Sequence, residues 1–598
     1  MPNPTRALRL RPVLFALVAL TIMISSSRGL AQGMATGAPP RPGAKVIKCQ
    51  GRTVPQLEDV TTKAGITFRH ILAPEAKYIP ESMSAGVLLL DYDRDGWLDI
   101  YFTNAPTLAM ALKREKARAA LYHNNHDGTF TDVTAKAGLE YPGWINGGAV
   151  ADYNNDGWPD IYLTALHGNV LYRNNGDGTF TDVTKKAGVA DGRWSMGAAF
   201  ADYDGDGFVD LMVSNYVEFD MHNPPVFGSS GTCRFMGLDV QCGPRGLQGE
   251  GDALFHNNGD GTFTDVSKSA GVDDPMNFYG LTVAWVDFNN TGRPDIYVAN
   301  DSTPNYLYRN DGNGKFTDIA MESGTALSDD GNEQASMGVA IGDYLHNGLQ
   351  SIFVTDFSSD YAALYKNEGN HTFEDVSYRA GVALPSFPWV KWGTTFFDID
   401  NDGWLDLIIA TGHVYPQVDS LTAGPGFREP KMLHLNQADG TFCDASDQAG
   451  PALPERRVAR GVVAGDLFNS GNMDIVIGNM DGSPTVLRNA GYPGRHWVSF
   501  ELAGTKSNRL AIGARVKLVA GGMTQTAEVR SGESYLSQND LRVHFGIAGA
   551  TKIDSVEIRW PSGAVDTMKD LAPDKFYAVL EGKGIVPADQ IRPAKRRK

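Results

Sequence analysis

Seven copies of one pattern constrain the fold of this 598-residue chain more than any other feature. Each copy consists of a short apolar run, a loop rich in Asp, Asn and Gly, and a second apolar run. The runs contain many β-branched and aromatic residues and end at turn residues, so each copy predicts a β-hairpin. The copies lie at 86–104, 147–165, 197–215, 281–300, 338–356, 393–411 and 461–479.

A second pattern alternates with the first and contains variants of the run TFTDV. Its Asp-Gly or Gly-Asn turn between apolar strands again indicates a hairpin. Two hairpins per repeat make four strands, which is the content of one blade of a β-propeller. Complete second hairpins lie at 121–138, 171–188, 254–271, 307–324, 364–381 and 433–450.

The number of hairpins indicates how the array closes. The last first-type hairpin is followed only by the partial copy 485–491, and the missing half occurs before the first repeat, at 57–65. The sequence therefore predicts an all-β protein: a seven-bladed β-propeller closed by an N-terminal strand, followed by a small antiparallel β-sandwich-like domain. A closed ring leaves no exposed sheet edge. An open array with a stray N-terminal copy would leave the complementary halves unexplained.

The loops of the first-type hairpins predict metal sites. Their spacing is D-x-D-x-D-G-x-x-D, and Ca²⁺ takes six to eight oxygen ligands of this kind. An EF-hand is excluded because position 12 is apolar, and Mg²⁺, which requires stricter geometry, is the weaker candidate. Four strong sites are predicted at Asp91, Asp93, Asp95, Asp99; Asp152, Asn154, Asp156, Asp160; Asp202, Asp204, Asp206, Asp210; and Asp398, Asp400, Asp402, Asp406. A fifth, weaker site is predicted at Asp287, Asn289, Thr291 and Asp295.

The other two loops lose an oxygen at position 3. Leu345 and Phe468 stand there, so these loops are predicted to be plain hairpin loops. An isolated Asp-rich turn is usually a solvated Asx turn. Four copies in register between strands favour metal binding instead.

These repeats resemble the FG-GAP/VCBS blades of integrin-α-type β-propellers, although the Phe-Gly dipeptide is mostly replaced. The region after residue 490 resembles the ASPIC/UnbV domain, in the segments IGARV (512–516), GESYLSQ (532–538), HFG (544–546) and VEIRWPSG (556–563). The resemblance implies extracellular calcium binding and an adhesion-like interaction. It implies no particular reaction.

The first residues of the chain predict secretion. Basic residues precede the apolar run 13–24, and small residues follow it up to Ala31, as in a signal peptide. A retained membrane anchor or a buried helix is the alternative. The predicted segments are a signal peptide (1–31), a flexible segment (32–54), the propeller (55–491), the ASPIC/UnbV-like domain (492–583) and a basic flexible tail (584–598).

Cysteine content and charge restrict the partners. In an oxidising compartment Cys233 and Cys242 could close a local disulfide, whereas the pairing of Cys49 with Cys443 stays open. The net charge of −17 argues against a nucleic-acid partner. No membrane-spanning segment is predicted for the secreted chain.

Candidate ligand-binding residues are predicted at the face opposite the calcium loops. They are Arg193, Trp194, Lys391, Trp392 and His413, which could instead fasten loops. No catalytic motif is found, so we expect a secreted binding or adhesion module for an extracellular glycan or protein. A propeller-type polysaccharide lyase or hydrolase acting at the same face is the alternative.

Overall fold

The computed structural model describes residues 40–41, 44–141, 143–422 and 424–596. The predicted signal peptide lies outside these residues. The described chain is all-β, as the sequence predicts, and consists mainly of small four-stranded antiparallel sheets. No helix in the described part is long and apolar enough to cross a membrane.

Seven four-stranded sheets contain the repeats, and we number them in chain order. Sheets 1 to 3 comprise Val87–Leu90, Asp99–Phe102, Ala120–Asn124, Phe130–Asp132; Ile145–Ala151, Asp160–Ala165, Val170–Asn174, Phe180–Asp182; and Ser195–Ala201, Asp210–Asn215, Ala253–Asn257, Phe263–Asp265. Sheets 4 to 6 comprise Gly280–Val286, Asp295–Asn300, Tyr306–Gly312, Lys315–Asp318; Val339–Gly342, Ser351–Val354, Ala363–Gly369, Thr372–Asp375; and Lys391–Phe397, Asp406–Thr411, Met432–Asn436, Phe442–Asp444.

Sheet 7 combines the two ends of the repeat region. Its strands are Ala459–Gly465, Asp474–Asn479, Thr485–Asn489 and, from the N-terminal side, Leu57–Asp59. Leu57 pairs with Asn489 and Asp59 with Leu487 in an antiparallel register. The first strand of each sheet contacts the first strand of the next, and those of sheets 7 and 1 also touch.

The helices are short and lie in connections. The α-helices are Leu108–Leu112, Thr134–Ala137, Thr184–Ala187, Ser267–Ala270, Ala320–Ser323 and Ala383–Ser386, and the 3₁₀ helices are Ile79–Ser82, Gly231–Cys233, Pro416–Ser420 and Ala588–Gln590. A small hairpin, Arg234–Phe235 and Leu238–Asp239, lies in the long connection inside sheet 3.

Two further sheets form the C-terminal domain. One comprises Val543–Gly546, Trp497–Ala503, Lys575–Leu580 and Gly584–Val586, and the other comprises Met523–Glu528, Arg515–Ala520, Ile553–Arg559 and Val565–Leu571. The domain differs from the expected antiparallel sandwich in one pair, because Trp497–Ala503 runs parallel to Lys575–Leu580.

One loop of the C-terminal domain enters the space between the first strands of the repeat sheets. We call residues 531–538 the inserted loop. Ser534 exchanges backbone hydrogen bonds with Val339 of sheet 5, and Gln538 does so with the strand Val87–Leu90 of sheet 1. A Cβ on Gly147 would lie 2.4 Å from the Cβ of Leu536, so this close approach requires glycine there.

Described parts of both terminal segments are attached to the folded chain. Near the N-terminus, Cys49 forms a disulfide with Cys443 of sheet 6. At the C-terminus, Gly584–Val586 is an edge strand and Ile591 is fully buried. The signal for flexibility was the density of Pro, Lys and Arg, which does not register the acidic surface that these segments contact.

Candidate metal-binding loops

The Asp at position 1 of each loop holds the loop backbone. Its two oxygens accept the amide N–H groups of positions 5 and 6, at 2.6–3.1 Å. This arrangement recurs in all seven loops, at Asp91, Asp152, Asp202, Asp287, Asp343, Asp398 and Asp466. Position 1 therefore has a structural role that does not depend on metal.

The Asp at position 9 ties the two hairpins of a sheet together. One of its oxygens accepts the backbone N–H of an Asn on the third strand, at 2.7–2.9 Å, in six of the seven sheets. In sheet 5, where Ser351 stands at this position, its hydroxyl accepts the equivalent bond from Asn367. Position 9 is thus also fixed by the fold.

Positions 3 and 5 supply the remaining oxygens, and position 3 is the least committed. Oδ1 of Asp93 is buried and has no hydrogen-bond partner in the described structure. Ligand atoms of Asp91, Asp93 and Asp95 lie within 4.8 Å of one another, and the same holds for Asp202, Asp204 and Asp206. Clustered carboxylate oxygens fit a hard divalent cation.

Burial changes the acidity of these carboxyl groups. It raises the pKa of Asp91 to about 7 and the pKa of Asp99 to about 8. In the third loop burial raises the pKa of Asp202 to about 7. A cation among these groups would favour the charged carboxylates and oppose that effect.

Histidines lie beside two of the loops and were not expected from the sequence. Asp93, Asp99 and His123 form one group whose ligand atoms lie within 4.8 Å, and Asp204, Asp210 and His256 form another. Both histidines occupy the same place in the third strand of their sheets. That shared position, two residues after Leu in LYHNN and LFHNN, was the available signal.

Side chains at position 4 link neighbouring loops, and the sequence-based interpretation missed them. Five of them donate to the position-6 carbonyl of the next loop, at 2.8–3.2 Å. The donors are Asn155, Asn290, His346, Asn401 and Asn469. The last of these bonds joins loop 7 to loop 1, because Asn469 donates to the carbonyl of Gly96 at 3.0 Å.

Two arginines occupy the acidic cluster of the sixth loop. Asp398, Asp400 and Asp406 come together there, within 4.8 Å. The Arg52 guanidinium lies 2.9 Å from Asp400 and 2.7 Å from Asp402, and Arg495 lies 2.5 Å from Asp400. The residues predicted as a strong site are therefore assembled, but two arginines of the chain offset part of their negative charge.

The C-terminal tail contacts the first two loops. Nζ of Lys595 lies 2.8 Å from Oδ2 of Asp93, and the Arg596 guanidinium lies 3.1 Å from Oδ2 of Asp156. Both pairs are solvent-exposed on the basic side, and exposed pairs contribute little to stability. The tail is thus positioned where a cation would bind.

The fourth loop differs from the strong ones. The His371 ring, from the next sheet, lies 2.9 Å from Asp295 and 2.6 Å from the Asn289 amide. Asp287 is engaged by the amides of its own loop. Fewer oxygens stay uncommitted here, in agreement with the lower carboxylate content.

The residues predicted for the opposite face are mostly interior. Trp194, Lys391, Trp392 and His413 are each at most 1% exposed. Nζ of Lys391 donates to the carbonyls of Phe357 and Asp360 at 2.8 and 2.9 Å. The prediction of an exposed ligand surface from these four residues is wrong, because all four side chains are buried and those of Lys391 and Trp392 donate to backbone carbonyls in the core.

Arg193 is the exception, since part of its side chain reaches solvent. Its guanidinium forms two bonds with Asp191, at 2.6 and 2.9 Å. Nearby, the connection with the disulfide Cys233–Cys242 covers the centre of this face, and Phe235 packs against His413 with ring centroids 5.3 Å apart. The aromatic rings around Phe235, which we call the cap, close this face.

Comparison with family models identifies both parts of the chain. An FG-GAP-like repeat model matches residues 91–163, 152–213, 239–298, 287–354 and 343–409, and a model described as ASPIC and UnbV matches residues 504–586. The chain contains FG-GAP-like repeats and a C-terminal ASPIC and UnbV domain. The resemblance seen in the sequence is confirmed.

Curated relatives of this FG-GAP-like protein include cartilage acidic protein 1. The human protein is 26% identical over 365 residues, covering 60% of this chain and 42% of the relative. The Mus musculus protein is 26% identical, with coverages of 60% and 44%, and the Xenopus tropicalis protein is 25% identical, with coverages of 55% and 40%. The aligned region spans about two fifths of the length of these relatives.

Solved structures with detectable similarity are distant. An Agrocybe aegerita lectin that recognises non-reducing terminal N-acetylglucosamine has a TM-score of 0.34 and 18% identity, covering 67% of this chain and 87% of the lectin. BBS1N in complex with ARL6DN has a TM-score of 0.39 and 10% identity, covering 73% and 97%.

Proposed function

We propose that this FG-GAP-like protein is a secreted, calcium-binding β-propeller that acts as a binding module for an extracellular glycan or protein. The observation that carries the proposal is the set of acidic loops, in which carboxylates gather beyond the number that the loop backbone needs. The family and the cartilage acidic protein relatives support an extracellular binding role.

We interpret the seven repeat sheets as the blades of a closed ring. Three observations support this: the contact between the first strands of sheets 7 and 1, the pairing of Leu57–Asp59 with Thr485–Asn489, and the Asn469–Gly96 hydrogen bond. Each joins the end of the repeat region to its start. The C-terminal domain contacts the acidic loops and covers them on one side.

Calcium would be held by the first three loops, with the fourth weaker. The ligands are the carboxylates of positions 1, 3, 5 and 9, with Asn154 at position 3 of the second loop. Bound Ca²⁺ would neutralise buried carboxylates that repel one another. In the sixth loop Arg52 and Arg495 supply that charge, so we assign no metal there.

Secretion fits the cysteines. Both pairs, Cys49–Cys443 and Cys233–Cys242, are disulfides in the structure, and disulfides persist in oxidising compartments. Binding without turnover is proposed because the polar residues of the face opposite the loops are used in packing.

Asp93→Asn tests the metal assignment. Asp93 accepts no backbone N–H group of its loop, so the variant should fold and bind one Ca²⁺ fewer in a calorimetric titration. Calcium should also stabilise the wild type, by about 2.7 kcal/mol per site at a hundredfold excess over Kd. Glu115→Gln is the matched control, because it removes one exposed carboxylate far from the loops. Equal melting temperatures in Ca²⁺ and in EDTA, with no heat of binding, would contradict the assignment.

A glycan array and a panel of extracellular proteins, each probed with and without Ca²⁺, test the binding role. Capture of at least one class is expected. Cleavage of a polysaccharide by the purified chain would instead favour the lyase or hydrolase alternative.

A further inference from the structure

A cavity of about 400 Å³ lies between the third and fourth acidic loops and the C-terminal domain. Its lining includes Asp202 and Asp287 from the loops, and Arg515, Glu528, Arg559 and Val565 from the domain. This volume is within the range of small-ligand sites. None of the residues predicted for the ligand-binding face lines this cavity.

Two arginines stand opposite each other in the sheet that forms one wall. Arg515 is the cross-strand partner of Arg559. Like charges directly opposite in a sheet are destabilising. Two residues further along the same pair of strands, Lys517 is paired with Glu557, so the charges there are opposite. The Arg–Arg pair is therefore a local cost that the fold itself does not need.

Neither arginine forms an ion pair within 4 Å with a described residue. In the described part of the chain no hydrogen bond or ion pair engages the exposed guanidinium of Arg559. Arg515 donates to the carbonyl of Gly348 through Nη2, and its Nη1 is buried without a partner. Buried polar groups are almost always paired, so an orphan of this kind calls for an explanation.

Three carboxyl groups also line the cavity, and among the described residues none of them forms an ion pair with Arg515 or Arg559. Both oxygens of Asp202 and Asp287 accept amide N–H groups of their own loops. Glu528 is the cross-strand partner of Arg515 on its other side, yet among the described residues it forms no ion pair within 4 Å. The wall thus presents two guanidinium groups that no ion pair within 4 Å engages among the described residues.

We propose that this cavity binds the acidic group, a carboxylate or a sulfate, of an anionic glycan. The inference rests on the proposed binding function and names its site and ligand class. A guanidinium presents paired N–H donors that match the oxygens of a carboxylate or sulfate. The exposed Val565, with nearby proline side chains, offers apolar surface to a sugar ring.

The experiment uses the mature chain in Ca²⁺ and three soluble probes: tetragalacturonate for carboxylate, a heparin tetrasaccharide for sulfate, and maltotetraose as a neutral sugar. We expect one of the acidic probes to bind and maltotetraose not to bind. Sodium acetate and sodium sulfate serve as free anions, and binding of these alone, without a preference for the glycan, would overturn the glycan assignment.

Arg559→Gln should weaken that binding at least tenfold. Its melting temperature should stay within about 1 °C of the wild type, because the side chain is exposed and unpartnered. Lys517→Gln is the matched control: it removes one positive charge from the same sheet, outside the cavity, and should change the affinity less than twofold. Arg559→Lys should give an intermediate affinity, since it keeps the charge and loses the paired donors.

The outcomes separate this inference from the proposed function. Equal affinities of Arg559→Gln and the wild type would overturn the cavity assignment. So would a wild type that captures only a neutral glycan or a protein, although the binding function would then stand. A wild type that captures nothing on the array would overturn both.

Discussion

Replacing Tyr535 by Ala should separate the C-terminal domain from the repeat sheets. Tyr535 is the tip of the inserted loop and is fully buried. Its ring packs against Trp392 with centroids 4.8 Å apart, and its hydroxyl lies 3.8 Å from Sδ of Met83. The side chain thus touches sheet 6 and the segment before sheet 1 at once.

The magnitude follows from that burial. Truncating a buried aromatic side chain to Ala costs about 3 to 5 kcal/mol, of which the lost ring contact accounts for roughly 1 kcal/mol. We therefore expect a loss of about 4 kcal/mol in the free energy of unfolding. For a domain of marginal stability this is a large fraction of the total.

Urea unfolding and calorimetry of the mature chain measure the effect. In Tyr535→Ala the C-terminal domain should unfold before the repeat sheets, so that a second transition appears. Phe576→Ala, in the same domain but 39% exposed, is the control and should cost about 1 kcal/mol or less. A Tyr535→Ala variant within 1 kcal/mol of the wild type, with unchanged transitions, would refute the argument that the inserted loop joins the two parts.

Two further predictions concern charge. Replacing both Arg52 and Arg495 by Ala should raise the calcium stoichiometry by one in a calorimetric titration, because the sixth loop then needs a cation; an unchanged stoichiometry would contradict the assigned role of the arginines. Glu581→Gln should destabilise the chain by about 2 kcal/mol near pH 7. Burial opposes ionisation, but hydrogen bonds from Ser562 and three backbone amides outweigh it and lower the pKa of Glu581 to about 2. Its stabilisation is present above pH 4.5 and is lost as the pH falls towards 2, so urea midpoints of wild type and variant should converge over that window, and a constant difference would contradict it.

The repeats made the all-β architecture predictable, because turn residues and alternating apolar runs recur at fixed spacing. The same regularity did not reveal that the acidic positions of each loop have different roles. Asp at position 1 binds two loop amides, whereas Asp93 at position 3 of the first loop binds none, yet both positions are acidic in three of the four strong loops. Only loops 5 and 7, which keep Asp343 and Asp466 but have Leu345 and Phe468 at position 3, carried a signal that the two positions differ.

The opposite face could not be predicted from composition. The sequence predicts Lys391 and Trp392 on a ligand-binding surface, and for Lys391 exposure is the usual state because Lys is rarely buried. In the structure the cap around Phe235 and the inserted loop exclude solvent from the centre, and Lys391 is satisfied by two carbonyls. The strand pairing in the C-terminal domain was also not predictable. The parallel pair of Trp497–Ala503 and Lys575–Leu580 joins segments that lie far apart in sequence.

The position-4 side chains of the acidic loops contact the C-terminal domain, so the proposed cation binding would be thermodynamically coupled to docking of the domain. Position 4 of the sixth loop shows the contact: Asn401 donates to the Gly471 carbonyl of the next loop and accepts from Nε2 of His544 at 2.8 Å. Asn155 does the same in the second loop, where it donates to Gly207 and accepts the amide of Arg509. A cation that fixes one loop also fixes the position-4 side chain that contacts the domain. Because such coupling is reciprocal, a docked domain must raise the cation affinity of the loops by the same factor by which the cation strengthens docking.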